Sequence, residues 1–516
     1  MYKVLKIIGI GFIIFIFIIL VALFWPLPEI QVSVKSQNVV IKSVNVIDIN
    51  TGSILPNRNV YIEGNKIKSI DGPPISTSAS DVLIIDGTDQ YLIPGLWDMH
   101  THSTQHSPWL HHPLYIANGV TAVRDMSGQL DKPDSYWAGT KDRLTWNLKL
   151  ENHEQISPRY VLQSSFQING ENSVPEGFPG FFKAQTSEDV HSLLAHYQEE
   201  QANFIKVYSE ISAESYRTLT KNCARYSLYL AGHKPLNISL QEAVLAGQRS
   251  FEHGRIFMFD CFPFADSLKN ATEKGDTYRN LMPSMITDFD QAKAEELMHL
   301  MRDHNSHWVP TLQTLKVSAM ANDTMFIQSP LLNYIPALRK ILLWNPDVSR
   351  AANDNISAAR RDINKKFYES VKTQIAMAQN YGVPIMAGTD VTDSYVFPGF
   401  SLHTEMHDLV DAGLTNLEVL QAATIIPARF SGREDDLGSI EAGKLADLVL
   451  LNNNPLEDIV HTQAIKGVLL NGIYYDKTTL NKLKQLTKEL AGSFHMNVKF
   501  LYSLLASPLM RKQIAD

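Results

Sequence analysis

Residues 93–103 read IPGLWDMHTHS. An apolar run reaches a Pro-Gly pair, resumes, and ends on His100 and His102 with one threonine between them. Successive side chains of a strand alternate faces, so imidazoles at i and i+2 project the same way. Two imidazoles on one face at a strand end make half of a metal site, although two buried, hydrogen-bonded histidines look identical in sequence. The reading turns on whether other strands end in metal-binding side chains.

Downstream, apolar strand candidates alternate with helical patterns: VTAVRDM (120–126), RYVLQSSF (159–166), NFIKVYSE (203–210), LYLAGHKP (228–235), RSFEHGRI (249–256), HWVPTLQT (307–314) and PIMAGTDV (384–391). With the strand that ends at His102 they make eight, which fits a TIM-type (β/α)8 barrel better than a doubly wound sheet. Helix starts at Ser239 with Glu242, and at Thr415 with Glu418, carry the capping-box spacing. Four strands end in side chains of the right chemistry: Lys206, His233, His253 and Asp390. Singly, each has a bland alternative: a core histidine, a lysine reaching for solvent, an aspartate capping the next turn. Together with His100 and His102 they lie at strand C-termini, where barrel enzymes gather their active sites. That joint placement predicts a metal site. An unpaired lysine amine in such a mouth is costly to bury.

The barrel is flanked by short alternating segments, VVIKSVNVIDINTG (39–52), NVYIEGNKIKSIDG (59–72) and DVLIIDGTDQYLIPG (81–95), broken at turn residues that include Gly72, Pro73 and Pro74. This pattern predicts a small antiparallel β unit. GSIEAGKLADLVLLNNNP (438–455) and AIKGVLLNGIYYD (464–476) repeat it near the other end. Neither half supplies enough strands to bury two faces, so one split β-sandwich is expected, with the barrel inserted into it. The expected α/β organisation is an anchor at 1–30, β-sandwich at 31–92 and 434–478, barrel at 93–433, and a helical tail at 479–516. Long insertions are expected at 128–157, 258–299 and 317–379. The tail alternates apolar residues and lysines near helical spacing, as expected of a helix packing one face on the body.

The chain has 516 residues, 44% of them hydrophobic, and a formal net charge of −8, which gives no footprint for a nucleic-acid partner. Its only cysteines, Cys223 and Cys261, exclude a disulfide framework and leave room for one bridge. Residues 7–25, IIGIGFIIFIFIILVALFW, are uncharged and match a bilayer core of about 30 Å. Lys3 and Lys6 precede them, which places the short N-terminus in the cytoplasm. The run is longer than a signal-peptide core and no A-x-A-like site follows, so an uncleaved single-pass anchor with an external catalytic domain is expected.

Taken together, Asp98-Met99-His100-Thr101-His102, Lys206, His233, Glu252-His253-Gly254 and Gly388-Thr389-Asp390, flanked by Gly443-Lys444-Leu445-Ala446-Asp447-Leu448-Val449, resemble the amidohydrolase superfamily over roughly 38–478. GVTAVRDM and Lys206 are most similar to its imidazolonepropionase and prolidase-like branch, with its Xaa-Pro dipeptidase-type members. The resemblance implies a Lys206 carbamate, derived from CO2, bridging two divalent ions. His100, His102 and Asp390 then hold one ion, and His233 and His253 the other. Zinc is the first candidate; manganese and cobalt suit the same donors. Such a pair supplies a bridging hydroxide, and Asp390 carries its proton to the departing amine.

The implied activity is cleavage of an amide or peptide bond in a small or dipeptide-like substrate, with Tyr208 as a substrate-binding candidate. Arg124 is expected in a scaffold ion pair with Asp125 or Asp98. His403 and His407, four apart, lack the H-E-x-x-H arrangement of a second zinc site, and His106, His111 and His112 crowd the first loop. Alternative functions are hydrolysis of a lactone, cyclic imide or N-acyl amino acid, a mononuclear deaminase, and a non-catalytic membrane-anchored binding protein. Lys206 speaks against the deaminase, as do Lys234 and Pro235 where a glutamate would stand; the complete ligand set speaks against the binding protein.

Overall fold

A computed structural model describes residues 2–30, 38–72, 82–272, 274–355 and 357–515. Pro73 and Pro74 lie outside the described residues, as do 31–37 at the start of the expected β region.

Two parallel groups of strands follow the Pro-Gly pair. Leu96–Thr101, Val120–Asp125 and Arg159–Gln163 form the first; Ile205–Val207, Leu230–Gly232, Ser250–Glu252 and His307–Val309 form the second. Backbone bonds stitch them into a ring. Asn203 N–H donates to Gln163 O (2.8 Å) and Ile168 N–H to Lys206 O (2.9 Å). On the other side the segment 384–391 closes the gap: Met386 N–H donates to Trp308 O and Met99 N–H to Ala387 O, both at 2.9 Å. Staves around the ring fill the interior with Trp97, Met99, Ala122, Phe204, Ala231, Val309 and Met386, a packed barrel core. The architecture is α/β and TIM-type.

The eighth stave departs from expectation. PIMAGTDV makes only isolated parallel bridges, Ile385 with Trp308 and Val391 with Thr101. Pro384 has no N–H to donate. Gly388 lies so close to its neighbours that a Cβ there would stand 2.6 Å from Val309 Cγ1 and 2.9 Å from His100 N.

The outer strands also differ from the expected antiparallel sandwich. They form one hydrogen-bonded eight-stranded sheet in the order Ile473–Asp476, Ile465–Leu470, Leu448–Leu451, Tyr91–Pro94, Asn38–Ile47, Ile54–Glu63, Lys66–Ile70, with Val82–Asp86 beside Asn38–Ile47. The sheet is mixed, because Asn38–Ile47 pairs in parallel with both Val82–Asp86 and Tyr91–Pro94. Its two chain-distant halves meet where Leu448–Leu451 runs antiparallel to Tyr91–Pro94. Both halves contribute to one apolar cluster, with Val39, Ile41, Val60 and Ile62 from one and Leu448, Leu450 and Leu469 from the other. A single mixed sheet buries the face for which two sheets were expected.

Local signals behave unevenly. Thr415 and Glu418 form the full reciprocal capping box, whereas Ser239 caps its helix alone because Glu242 pairs with Arg217. Cys223 and Cys261 are both free and buried. The tail forms helices Lys477–Gly492, Phe494–Ala506 and Pro508–Ala515, and the first two bury Leu480, Leu483, Met496, Phe500 and Leu504.

The N-terminal helix Tyr2–Phe24 is long and apolar enough to cross a membrane, and its side chains are almost all exposed. It is fixed to the body at its end. Leu27 is buried with Leu110, Ala491 and Met496, Trp109 Nε1–H donates to Pro28 O (2.8 Å), and Lys499 Nζ donates to Leu23 O (2.7 Å). A cation on the last carbonyls of a helix also complements its dipole.

Candidate metal centre

The six expected side chains meet at the C-terminal mouth of the barrel. Asp390 Oδ1 lies 2.8 Å from His102 Nε2 and 3.3 Å from His100 Nε2, and its Oδ2 lies 3.7 Å from His253 Nδ1. Lys206 Nζ stands 3.1 Å from His100 Nε2, and the Nε2 atoms of His233 and His253 face each other at 2.9 Å. His100, His253 and Asp390 each offer a ligand atom within 4.8 Å of the others. His253 and Asp390 both take left-handed backbone (φ 71° and 68°), a strained conformation that recurs at functional sites. Before His233, Gly232 has φ 123°, and a Cβ there would stand 2.3 Å from Val207 O, so only glycine delivers that imidazole.

The outer nitrogens of the rings are occupied, and this tests whether a cation fits. His100 Nδ1 lies 2.9 Å from Glu252 Oε2. A carboxylate only accepts, so Nδ1 carries the hydrogen and the Nε2 lone pair points inward at Asp390 and Lys206. His233 Nδ1 meets Ser209 Oγ (2.6 Å) and His253 Nδ1 meets Thr311 Oγ1 (2.8 Å), leaving their Nε2 atoms to converge. Burial keeps the rings neutral: His100 is pushed down to about 4, and His233 and His253 fall well below the usual imidazole range. Burial likewise holds the Lys206 amine below its ordinary value. Burial opposes ionisation of Asp390, but the surrounding imidazoles, His100 foremost, outweigh it and hold the carboxyl well below its usual range. Neutral nitrogen lone pairs and a carboxylate aimed at common points are the donor set that divalent zinc-like ions take. The residues fit the group.

Behind His100 stands a fully buried relay that sequence reasoning missed. Glu252 accepts from Arg124 Nη2 at both oxygens (2.8 Å) and from Ser250 Oγ (2.7 Å); Arg124 Nε–H also donates to Met99 O (2.7 Å). Burial alone raises the Glu252 carboxyl, but Arg124 and His100 together bring it down to about 2. The expected pairing of Arg124 with Asp125 or Asp98 is therefore corrected. Asp125 is taken by Arg143 and Ser103, and Asp98 accepts from His100 N–H (3.2 Å), Thr389 N–H (3.0 Å) and Thr389 Oγ1 (2.6 Å). The available signal was an acidic residue inside an apolar strand, since a buried carboxylate needs a cation.

The centre opens into a cavity of about 900 Å³, lined on the ligand side by His102, Lys206, Tyr208, His233, His253 and Asp390. Tyr208 lies over His233 with ring centroids 3.8 Å apart. Three of the other histidines have structural partners: His403 bonds Thr462 and Asn118 O, His111 bonds Ser107, and His112 bonds Tyr160. Lys234 turns away from the centre to pair with Asp260 at 2.9 Å.

Comparison with known proteins follows this geometry. Among solved structures, the bottromycin amidohydrolase is similar with a TM-score of 0.69 at 21% identity, over 88% of this chain and 91% of that one. An Xaa-Pro dipeptidase with bound methionine in its active site is similar with a TM-score of 0.58 at 19% identity, over 85% of this chain and all of that one. These likenesses concern the fold. A 5-methylthioadenosine/S-adenosylhomocysteine deaminase of Caldanaerobacter subterraneus subsp. tengcongensis is 40% identical over 65 residues, 13% of this chain and 14% of that protein. The chain thus spans about a seventh of that relative. Residues 267–474 match the family described as Amidohydrolase family, a segment that carries Asp390 and the downstream strands of the outer sheet. That match covers less than half of the chain and likens this segment to the Amidohydrolase family; the barrel is the fold shared with the solved structures above.

Proposed function

We propose that the protein is a metal-dependent hydrolase of an amide bond, working at a two-ion centre. His100, His102 and Asp390 would hold one ion, His233 and His253 the second, and a carbamate on Lys206 would span both. The observation that supports this reading is the meeting of four imidazoles with Asp390 and Lys206: His100 Nε2 faces both, His102 Nε2 meets Asp390, and His233 and His253 turn their Nε2 atoms to each other. When bound, paired divalent ions make a water acidic and polarise a carbonyl.

The remaining chemistry belongs to the chain. Once deprotonated, the buried Lys206 amine would add to CO2 and lose one further proton, forming Lys–NH–COO⁻ and exchanging a costly buried amine for an anionic oxygen donor. Asp390, held ionised, takes the proton released by the attacking water and passes it to the amide nitrogen as the C–N bond breaks; an unprotonated amide nitrogen is a very poor leaving group. Glu252, anchored by Arg124, fixes the His100 tautomer. Tyr208, on the cavity wall beside His233, would hydrogen-bond the substrate.

The substrate expected from the dipeptidase-like resemblance is a small molecule with an amide bond and a free carboxylate. The same reading keeps the N-terminal helix as an uncleaved anchor with the barrel outside the cytoplasm. It also divides the chain at 30, 92, 433 and 478. A turnover panel of Xaa-Pro dipeptides, N-acyl amino acids and lactones tests the proposal. Amide cleavage that a chelator abolishes and zinc restores supports it. Cleavage of lactones alone, or amide cleavage indifferent to the chelator, overturns it.

A further inference from the structure

The cavity wall also carries an unmatched charge. Arg339 is 6% exposed and lines the cavity. Its Nη2 donates to Thr392 O (2.7 Å), two residues beyond Asp390, and its guanidinium lies 5.9 Å from the Trp344 ring centre. Its Nε is buried with no acceptor, and among the described residues no carboxylate lies within 4.0 Å of it. Buried guanidinium groups are ordinarily paired with anions, because desolvating an unpaired charge is costly. One carbonyl does not supply that charge. A buried cation aimed into a substrate cavity and lacking an acidic partner is a binding site for a substrate anion, and a carboxylate suits its fork.

Beside Asp347, Arg350, Asp393 and Gln513, the cavity lining also carries apolar groups. A π-helical turn, Lys340–Trp344, contributes Leu342 and Leu343, and the last helix contributes Leu509, Met510 and Ile514. Leu342 and Ile514 are exposed at the mouth. The cavity is at the upper end of the range that holds drug-sized ligands. The segment that builds this wall continues directly from the helix Phe494–Ala506, which docks on the N-terminal helix through Lys499 with Leu23 O and His495 Nε2 with Trp25 O (2.9 Å). The docking helix leaves Phe494, Tyr502 and Leu505 exposed, an apolar face suited to an interfacial position beside a membrane-spanning helix.

We propose that the substrate is an N-acyl amino acid with a long apolar acyl chain. Its carboxylate pairs with Arg339, and its chain leaves along Leu342 and Ile514 toward the bilayer holding the N-terminal helix. This rests on the amide-hydrolase reading and names its substrate class. One water adds to the acyl carbon and the C–N bond breaks. The water oxygen stays on the acyl product, which leaves as a fatty carboxylate, and both water protons end on the amine, which leaves as the ammonium form of the free amino acid.

The test uses the full chain in phosphatidylcholine nanodiscs with three ligands: N-dodecanoyl-alanine, its carboxamide, and N-acetyl-alanine. Dissociation constants are measured on chelator-treated protein, and turnover on zinc-loaded protein. N-dodecanoyl-alanine is expected to bind at least about tenfold tighter than either comparison ligand. Arg339→Met abolishes the preference over the carboxamide and keeps the preference over N-acetyl-alanine; Leu342→Asn with Ile514→Asn does the reverse. Arg339→Lys, which keeps the charge without the fork, retains part of the carboxylate preference and guards against misfolding of the methionine variant. Equal binding of all three ligands, or a carboxylate preference that survives Arg339→Met, overturns the proposal. Selective binding without turnover sinks the hydrolase reading and leaves the ligand class standing. Turnover of short dipeptides without selective binding does the opposite.

Discussion

Glu252→Gln should separate the cost of a buried charge from the cost of a misdirected ligand. The native carboxylate is fully buried between Arg124 on one side and His100 Nδ1 on the other. Glutamine keeps the shape and removes the charge, so Arg124 is left as an uncompensated buried cation. Breaking one half of such a pair costs about 3–5 kcal/mol, a shift of about 150- to 5,000-fold in the folded-to-unfolded ratio. A lost outer partner also weakens metal binding by about 10- to 100-fold. The double variant Arg124→Met, Glu252→Leu removes both charges and should recover most of the stability. It leaves the His100 Nδ1–H without an acceptor, a residual of about 1–3 kcal/mol, and it should not recover metal affinity. Urea unfolding of chelator-treated protein reads the first quantity, and titration with zinc against a competing chelator reads the second. A Glu252→Gln variant with native stability and native zinc affinity, or a double variant that regains the affinity, would refute the relay argument.

Three other outcomes follow from named contacts. Gly388→Ala forces a methyl against Val309 and the His100 backbone, so it should cost about 1–3 kcal/mol and lower metal content with it; thermal unfolding with elemental analysis checks both. Ellman titration should find almost no reactive thiol in native protein and two in denaturant, since Cys223 and Cys261 are buried and free; none in denaturant without reductant would mean a bridge. Leu27→Ala removes the buried plug beyond the N-terminal helix at a cost of about 2–5 kcal/mol to that docking, which limited proteolysis should register as faster cleavage near Pro26–Ile30 with the barrel intact.

Much of the barrel could be read from residue patterns because its signals are local. An i, i+2 pair such as His100 and His102, or a lysine in the apolar run around Lys206, announces itself within one strand. What could not be read depends on residues far apart in the chain. Arg124 and Glu252 are 128 positions apart, and nothing in VTAVRD distinguishes a bond to Glu252 from one to the adjacent Asp125. The mixed outer sheet depends on Asn38–Ile47 pairing with three strands at once, which alternation cannot encode. Arg339 lies in a long insertion with no strand register to place it, and the tail's reach over the cavity leaves no trace in its helical spacing. The irregular eighth stave was the local exception: Pro384 and Gly388 are visible in sequence and explain why its ladder is broken.

The central claim is that six side chains hold two ions with Lys206 between them. Elemental analysis of purified full-length protein against a Lys206→Ala variant tests it most directly. The account predicts about two equivalents of divalent metal per chain, falling to one or fewer when the amine is removed, with far-ultraviolet circular dichroism unchanged. Metal content that is the same in both proteins, or absent from the native one after growth with zinc, would contradict it.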